Sequence, residues 1–439
     1  MKTLRRRCLG PLAAALALLL AACATNPVTG QSQLMLVSEQ EEIALDRQNA
    51  PQQFSQDYGP IQQAEVSAYV NQVGMKLAAM SDRPNMPFSF RVVNASYLNA
   101  YAFPGGSVAV TRGMMLAVED EATLAALLGH EIGHVCARHS ASQMSKGLLL
   151  QAAATAAIVG VSTKTDNETY LQAAALAANV GSVALLSKYS RSDERQADAL
   201  GMEYAVRAGY TPLGMIRLTD ILVKISHSNP SMIELLFATH PQSADRYEAM
   251  VALAKTKYAA KTGGSDGREA YQKAIAPLLP LKATVQAIQE GDALTAKNDL
   301  NGAYACYAKA LQNTPNDYEA LLKMSQCCLA LNRAEEAKKY ADQAKRSYPQ
   351  EAQAVKASGL AALALRQYGQ AYAEFRVFDQ VRPGAGGAFL CGYAAEKNGN
   401  LGTAQQHYQA YLRQNQGGAY SQYANQRLQS WSQPRRQSH

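Results

Sequence analysis

The sequence predicts a mainly α protein of two domains, the second an all-α solenoid of tetratricopeptide repeats. Three observations predict it. Pro315, Pro349 and Pro383 are spaced 34 residues apart, and Ala303, Ala337 and Ala371 keep that interval, with Ala404 following at 33. The stretch from Glu119 to His134 reads as one helix, acidic in its first turn and Ala/Leu-rich in its body. Between the two regions, Thr262-Gly263-Gly264-Ser265-Asp266-Gly267 gathers residues that break regular structure. The 439 residues suggest two or more domains, and 48% hydrophobic content suffices for full cores.

The N-terminus predicts an export signal over residues 1–22. Lys2, Arg5, Arg6 and Arg7 form a positive region, and Leu9 to Ala22 an apolar one too short for a confident membrane span. Leu20-Ala21-Ala22-Cys23 reads as a lipobox, which makes Cys23 the lipidated first residue of the mature chain, tethered rather than threaded through a bilayer. Ala24, not Asp, follows the cysteine, and by resemblance to sorted lipoproteins this favours the periplasmic face of the outer membrane of a Gram-negative bacterium. Without the four cations of the signal, 38 of the 42 basic residues face 35 acidic ones, which leaves +3. That balance does not suggest a nucleic-acid binder, and no nucleic-acid motif is present.

The helix at 119–134 carries His130-Glu131-Ile132-Gly133-His134, an H-E-x-x-H pattern. Residues four apart share a helix face, so His130 and His134 can present two imidazoles to one zinc ion. Glu131, about 100° around the axis, lies beside that ion, where a carboxylate can take a proton from activated water. A third ligand is needed. His139 falls at the wrong place for the long metzincin pattern, which wants His at the position of Ser140. Glu194 is the better candidate: it stands four residues before Asp198 on a helix running past Met202. Asp198, one turn on, can accept a hydrogen bond from a ligating imidazole. Between the two motifs, residues 147–161 and 171–186 are Ala-rich and apolar. Each is shorter than a comfortable span, which favours core helices over membrane hairpins. The loop at 162–169 is a candidate gate.

His130 to His139, followed by Glu194-x-x-x-Asp198, resembles the zinc peptidase family of the CAAX prenyl protease and the heat-shock protease HtpX. Asn99 to Thr111 is similar to that family's edge strand, and Thr239-His240-Pro241 with Asp245-Arg246 to its His-Pro segment. The likeness spans about residues 25 to 255, and within the family it points to the periplasmic lipoprotein branch that carries tetratricopeptide repeats. It implies an α+β zincin-type metallopeptidase domain over 23–261: helices plus a small sheet, with substrate added as a β-strand along Ala102 to Thr111. It implies one Zn2+ per chain on His130, His134 and Glu194, Glu131 as general base, and His240 and Arg246 near the metal. Those two either stabilise the oxyanion, or His240 fills the open zinc position as a latch. The implied substrates are unfolded or stalled envelope proteins, outer-membrane β-barrels among them. The rival is a non-proteolytic assembly factor with a structural or latent zinc site, against which the intact Glu131 argues. A peptidoglycan-acting metalloenzyme fits the compartment but explains neither the repeats nor the strand.

Residues 262–283 read as the linker. Four repeats follow to about Gln416, then a cap helix to about Trp431, within a repeat region of 284–431. Tyr307, Phe375 and Tyr408 fall four residues after their alanines, as does Ala341. Gly291, Ser325, Gly359 and Gly392 hold the small-residue position of each first helix. The repeats offer either a groove for a partner, such as outer-membrane assembly machinery, or only support for the first domain. Cys306 and Cys327 reach the same height on antiparallel helices, so a disulfide and two packed thiols are equally open. The tail at 432–439 is expected to be disordered.

Overall fold

A computed structural model of the chain describes residues 23–148, 189–228, 236, 238, 240–241, 244–384, 386–415 and 417–432. The expected signal peptide, the apolar stretches beyond residue 148, the candidate gate at 162–169 and the tail beyond Ser432 lie outside the described residues. Among those described, no helix is long and apolar enough to cross a membrane.

Strand β1 (Cys23–Thr25) pairs antiparallel with β2 (Ser32–Leu34). Helix α1 (Glu39–Gln56) starts at Ser38, whose side chain and that of Glu41 close a capping box. Helix α2 (Ala64–Ala78) packs on a three-stranded sheet of order β3-β5-β4. In it β3 (Ser89–Val93) runs parallel to β5 (Ser107–Thr111), and β4 (Ala100–Ala102) runs antiparallel to β5. This corrects the expected substrate strand. Residues 102–111 are not one edge strand: the chain turns at Phe103–Gly106, β5 is central, and β3 and the three-residue β4 are the edges.

Helix α3 (Arg112–Ala117) leads to α4 (Glu121–Cys136), capped by Asp120, whose carboxylate accepts from Thr123 N–H at 2.8 Å. Every residue of α4 from Ala122 onward is buried, as expected of a helix apolar on nearly all sides. Its neighbours are β4, α2, α5 (Arg191–Arg207) and α6 (Leu213–Ser228). At its C-terminal end, the Val135 carbonyl accepts from Arg83 at 2.8 Å, and the chain reverses at Arg138 with φ +58°. Helix α7 (Ala244–Lys255) packs against α5 and α6.

Residues 262–283 are packed rather than free. Ala122 N–H donates to the Asp266 carbonyl at 2.9 Å and Thr211 N–H to the Ser265 carbonyl at 3.2 Å. In α8 (Arg268–Ile275), Tyr271 is fully buried and donates to the Met115 carbonyl at 2.6 Å. Ile275 and Leu278 join the same core as α4. The apolar side chains of the segment account for this: exposed, they would forfeit their transfer free energy.

Four helix pairs follow: α9 (Lys282–Ala296) with α10 (Leu300–Asn313), α11 (Tyr318–Ala330) with α12 (Ala334–Ser347), α13 (Ala352–Ala364) with α14 (Tyr368–Val381), and α15 (Gly387–Lys397) with α16 (Leu401–Gln414). Helix α17 (Ala419–Ser432) caps them. The periodic small residues have a direct use. A Cβ on Gly291 would stand 2.5 Å from the Tyr307 ring, on Gly359 2.5 Å from Phe375 and on Gly392 2.6 Å from Tyr408. The second repeat pairs Ser325 with the small Ala341, and Ser325 donates to the Ala337 carbonyl at 2.8 Å. Cys306 and Cys327 are free thiols, and Cys327 donates to the Leu300 carbonyl at 3.3 Å.

The repeats dock on the first domain through buried charge. Arg112, fully buried, donates to both carboxylate oxygens of Asp317, at 2.5 and 2.9 Å, and to Glu319 at 2.9 Å. Glu319 also accepts from Ser96 at 2.9 Å, whose carbonyl accepts from Gln289 at 2.7 Å. Further along, Ser55 donates to Glu351, and Tyr348 to the Pro60 carbonyl at 3.1 Å.

Candidate metal centre

Two helices build the centre. Helix α4 presents His130 and His134 on one face; α5 presents Glu194 and Asp198 from its first two turns. The helices meet backbone to backbone, because Gly129, Gly133 and Gly201 line the contact. A Cβ on Gly201 would fall 2.6 Å from the His130 nitrogen, and one on Gly129 2.8 Å from the Gly201 carbonyl oxygen. That approach brings Glu194 within reach of both imidazoles.

His130, His134, Glu194 and His240, all buried, offer ligand atoms that lie within 4.8 Å of one another. The two Nε2 atoms are 3.0 Å apart. Glu194 lies 3.3 Å from His134 Nε2 and 3.7 Å from His130 Nε2. Nitrogens each about 2.0–2.1 Å from one zinc at a tetrahedral angle sit about 3.3 Å apart, so this donor set fits such an ion. His240 Nδ1 stands 3.0 Å from Glu194 Oε1 and 3.4 Å from His130 Nε2. It therefore occupies the fourth side of the cluster.

Asp198 stands behind His130, with its Oδ1 2.9 Å from His130 Nδ1. Arg246, on α7, donates from Nε and Nη2 to Asp198, both at 2.7 Å; its Nη1 reaches Glu194 at 2.7 Å and the Pro241 carbonyl at 3.0 Å. The guanidinium is thus committed to the two carboxylates and to the residue after His240. Arg246 therefore faces Asp198 and Glu194, near the cluster as the resemblance implies. Glu131 is buried beside the cluster, near the end of β4. A small cavity opens here, with Leu127, Met215, Leu218, Leu222 and Leu236 on its apolar side and His130, Glu131, Asp198, Thr219, His240 and Arg246 on its polar side.

Electrostatics separate the carboxylates. Burial raises the Glu131 carboxyl above its ordinary value, against the pull of His240 and His130. Burial also acts upward on Glu194, but hydrogen bonds from His134 and His240 overcome it and hold that group well below the usual range. Burial drives His134 toward its neutral, ligating form. Glu194 is thus biased toward its anion and Glu131 toward its protonated form.

Three residues beside His134 were given no place in the site by the sequence. Tyr189 stacks on His134 with ring centroids 3.9 Å apart and donates or accepts at Ser140 Oγ, 2.9 Å away. His139 and Gln196 form a chain behind His134. His139 stood out only as a misplaced ligand, and no spacing rule singles out Tyr189 or Gln196.

Residues 64–254 match the family described as Peptidase family M48, and residues 294–359 match Tetratricopeptide repeat. A relative from Vibrio cholerae serotype O1 is 31% identical over 41% of this chain and 37% of its own length. The Beta-barrel assembly-enhancing protease of Yersinia pestis is 29% identical over 40% of this chain and 36% of that one. Metalloprotease YcaL of Escherichia coli (strain K12) is 27% identical over 42% and 70%. The chain therefore spans little more than a third of the first two relatives it matches. Among solved structures, YrrB, a TPR protein, is 14% identical with a TM-score of 0.31 over 47% of this chain and 97% of that one. With the two family matches falling on the domains that the fold separates, the chain carries a peptidase family M48 domain followed by tetratricopeptide repeats.

Proposed function

We propose that this chain is a zinc-dependent endopeptidase of the bacterial envelope that cuts misfolded or stalled outer-membrane and periplasmic proteins. The observation that carries this reading is the buried His130–His134–Glu194 cluster with Glu131, buried and outside the group of ligand atoms, beside it. His130, His134 and Glu194 would hold the ion. Zinc, when bound, supplies Lewis acidity and makes water acidic enough to attack a carbonyl near neutral pH.

The protein's own groups do the rest. Glu131 takes the proton of the attacking water and returns it to the leaving amine. Asp198 holds the His130 tautomer, and Arg246 holds Asp198 and Glu194 in place. The outer edge of β4 would take the substrate as an added strand, which reads backbone more than side chain and suits unfolded clients. His240 closes the cluster as a latch. Its seat against Glu194 and His130 favours this role over oxyanion donation.

Lipidated Cys23 would tether the enzyme to the outer membrane, and the repeats would engage assembly machinery there. Fatty-acid labelling of the wild type but not of Cys23→Ser is the check on the tether. The position of His240 also lends weight to a second reading, an assembly factor whose zinc site stays latent. Digestion of casein or an unfolded porin separates the two. Cleavage that a chelator abolishes and zinc restores supports the peptidase; none under any condition supports the assembly factor.

A further inference from the structure

His139 is a buried titratable residue for which the mechanism above has no use. It lies five residues past His134, beyond the end of α4, where the chain has turned back at Arg138. Its Nδ1 sits 2.9 Å from His134 Nδ1, and its Nε2 sits 3.1 Å from Gln196 Oε1, with Asp193 Oδ1 at 3.7 Å. It is outside the group of convergent ligand atoms.

The hydrogen positions follow from what His134 must do. To offer Nε2 to a metal, His134 must carry its proton on Nδ1. That N–H then needs an acceptor, and the only atom within hydrogen-bond distance among the described contacts of His134 Nδ1 is His139 Nδ1. His139 can accept there only if its own proton is on Nε2. Gln196 Oε1 is in place to receive it, and Asp193 lies just beyond. Gln196 and Asp193 belong to α5, the helix that supplies Glu194, so the relay ties one ligand to the helix carrying another.

We propose that His139 is the positioning residue of His134: it accepts the His134 Nδ1–H, fixes the ligating tautomer and sets the ring's direction. Tyr189, stacked on the same ring, fixes its plane. The two ligating imidazoles are thus held by different means. His130 is backed by the anionic Asp198, His134 by a neutral ring whose proton is fixed from α5. The proposal rests on the assignment of His130, His134 and Glu194 as metal ligands.

The test is zinc affinity, measured by competition with a chromophoric chelator on the purified full chain, beside thermal unfolding of the metal-free forms. His139→Leu keeps the volume but offers no acceptor, and loses about 10- to 100-fold in affinity. His139→Asn places an amide oxygen where Nδ1 stood, and stays within about threefold of wild type although it loses the ring and the Gln196 contact. If Leu fails to fold, His139→Gln, whose acceptor is one bond further out, takes its place with the same expected loss. Wild-type affinity in the Leu or Gln variant overturns the proposal. So does an Asn variant that falls as far as they do, because packing alone would then be the role. A wild-type chain that binds no zinc would instead refute the ligand assignment.

Discussion

In the proposed mechanism, His240 and Glu131 stand on either side of one decision, whether water at the site can react. Each of the other three donors has a second group close against it: Asp198 at 2.9 Å behind His130, His139 at 2.9 Å behind His134, Arg246 at 2.7 Å on Glu194. His240 is held by the short segment that runs into Pro241 and by the Arg246 contact to the Pro241 carbonyl. It is the member of the cluster best placed to leave. His240→Ala is therefore expected to speed cleavage of clients, or of the chain itself, with zinc retained. An oxyanion donor would show the opposite, a loss of about 10²–10³-fold. Slower cleavage at unchanged zinc content retires the latch. At this scale the sequence was a good guide where spacing alone fixes geometry. His130, Glu131 and His134 follow from a helix period, and so does the offset of Asp198 from Glu194. Tyr189, His139 and Gln196 meet through the path of the chain between α4 and α5, which no spacing encodes.

At the scale of elements, the centre depends on how closely α4 and α5 approach. Gly201→Ala would drive a methyl into the backbone of His130 at 2.6 Å. Overpacking of this kind costs about 1–3 kcal/mol, and here it also moves Glu194 away from the imidazoles. The variant is expected to unfold at lower denaturant and to bind zinc more weakly. Gly402→Ala on α16, where the added carbon meets nothing within 4 Å, serves as the comparison. It is expected to be neutral or slightly stabilising. A Gly201→Ala variant with wild-type zinc affinity would show that the close packing is not what sets the ligand geometry. The helices and the 34-residue repeat were legible because both rest on local periodicity. The sheet was less so. The order β3-β5-β4 depends on a parallel pairing between Phe90 and Val108 and their neighbours, and β5 thereby loses the free edge that the sequence assigned to it.

Over the whole molecule, the repeats hold the loop that feeds β4. Ser96 lies in the loop that feeds β4, and it is held between Gly113, Glu319 and Gln289. Arg112 directly follows β5 and is paired with Asp317 and Glu319, more than two hundred residues away in sequence. Nothing in a single chain announces such a pair; Arg112 looks like any surface arginine. Removing one side of a buried pair leaves the other uncompensated, so Arg112→Ala is expected to cost about 3–5 kcal/mol in chemical denaturation. Burial pushes the Glu319 carboxyl up to about 7, against the pull of Arg112 and Lys323. Between the ordinary value of 4.5 and that value, the folded chain holds a proton that the unfolded chain has released. Stability should therefore fall as pH rises through this window, and Glu319→Gln should remove that slope. Unfolding curves across the window decide it, and an unchanged slope in the variant would place the titration elsewhere.

The claim on which the rest depends is that Glu131 is the base of a zinc peptidase. The direct measurement is hydrolysis of an unfolded porin by wild type and Glu131→Gln at matched zinc content. The variant should hold zinc as wild type does and cleave at least about 10²–10⁴-fold more slowly. Cleavage at the wild-type rate by a zinc-loaded Glu131→Gln chain would contradict the assignment.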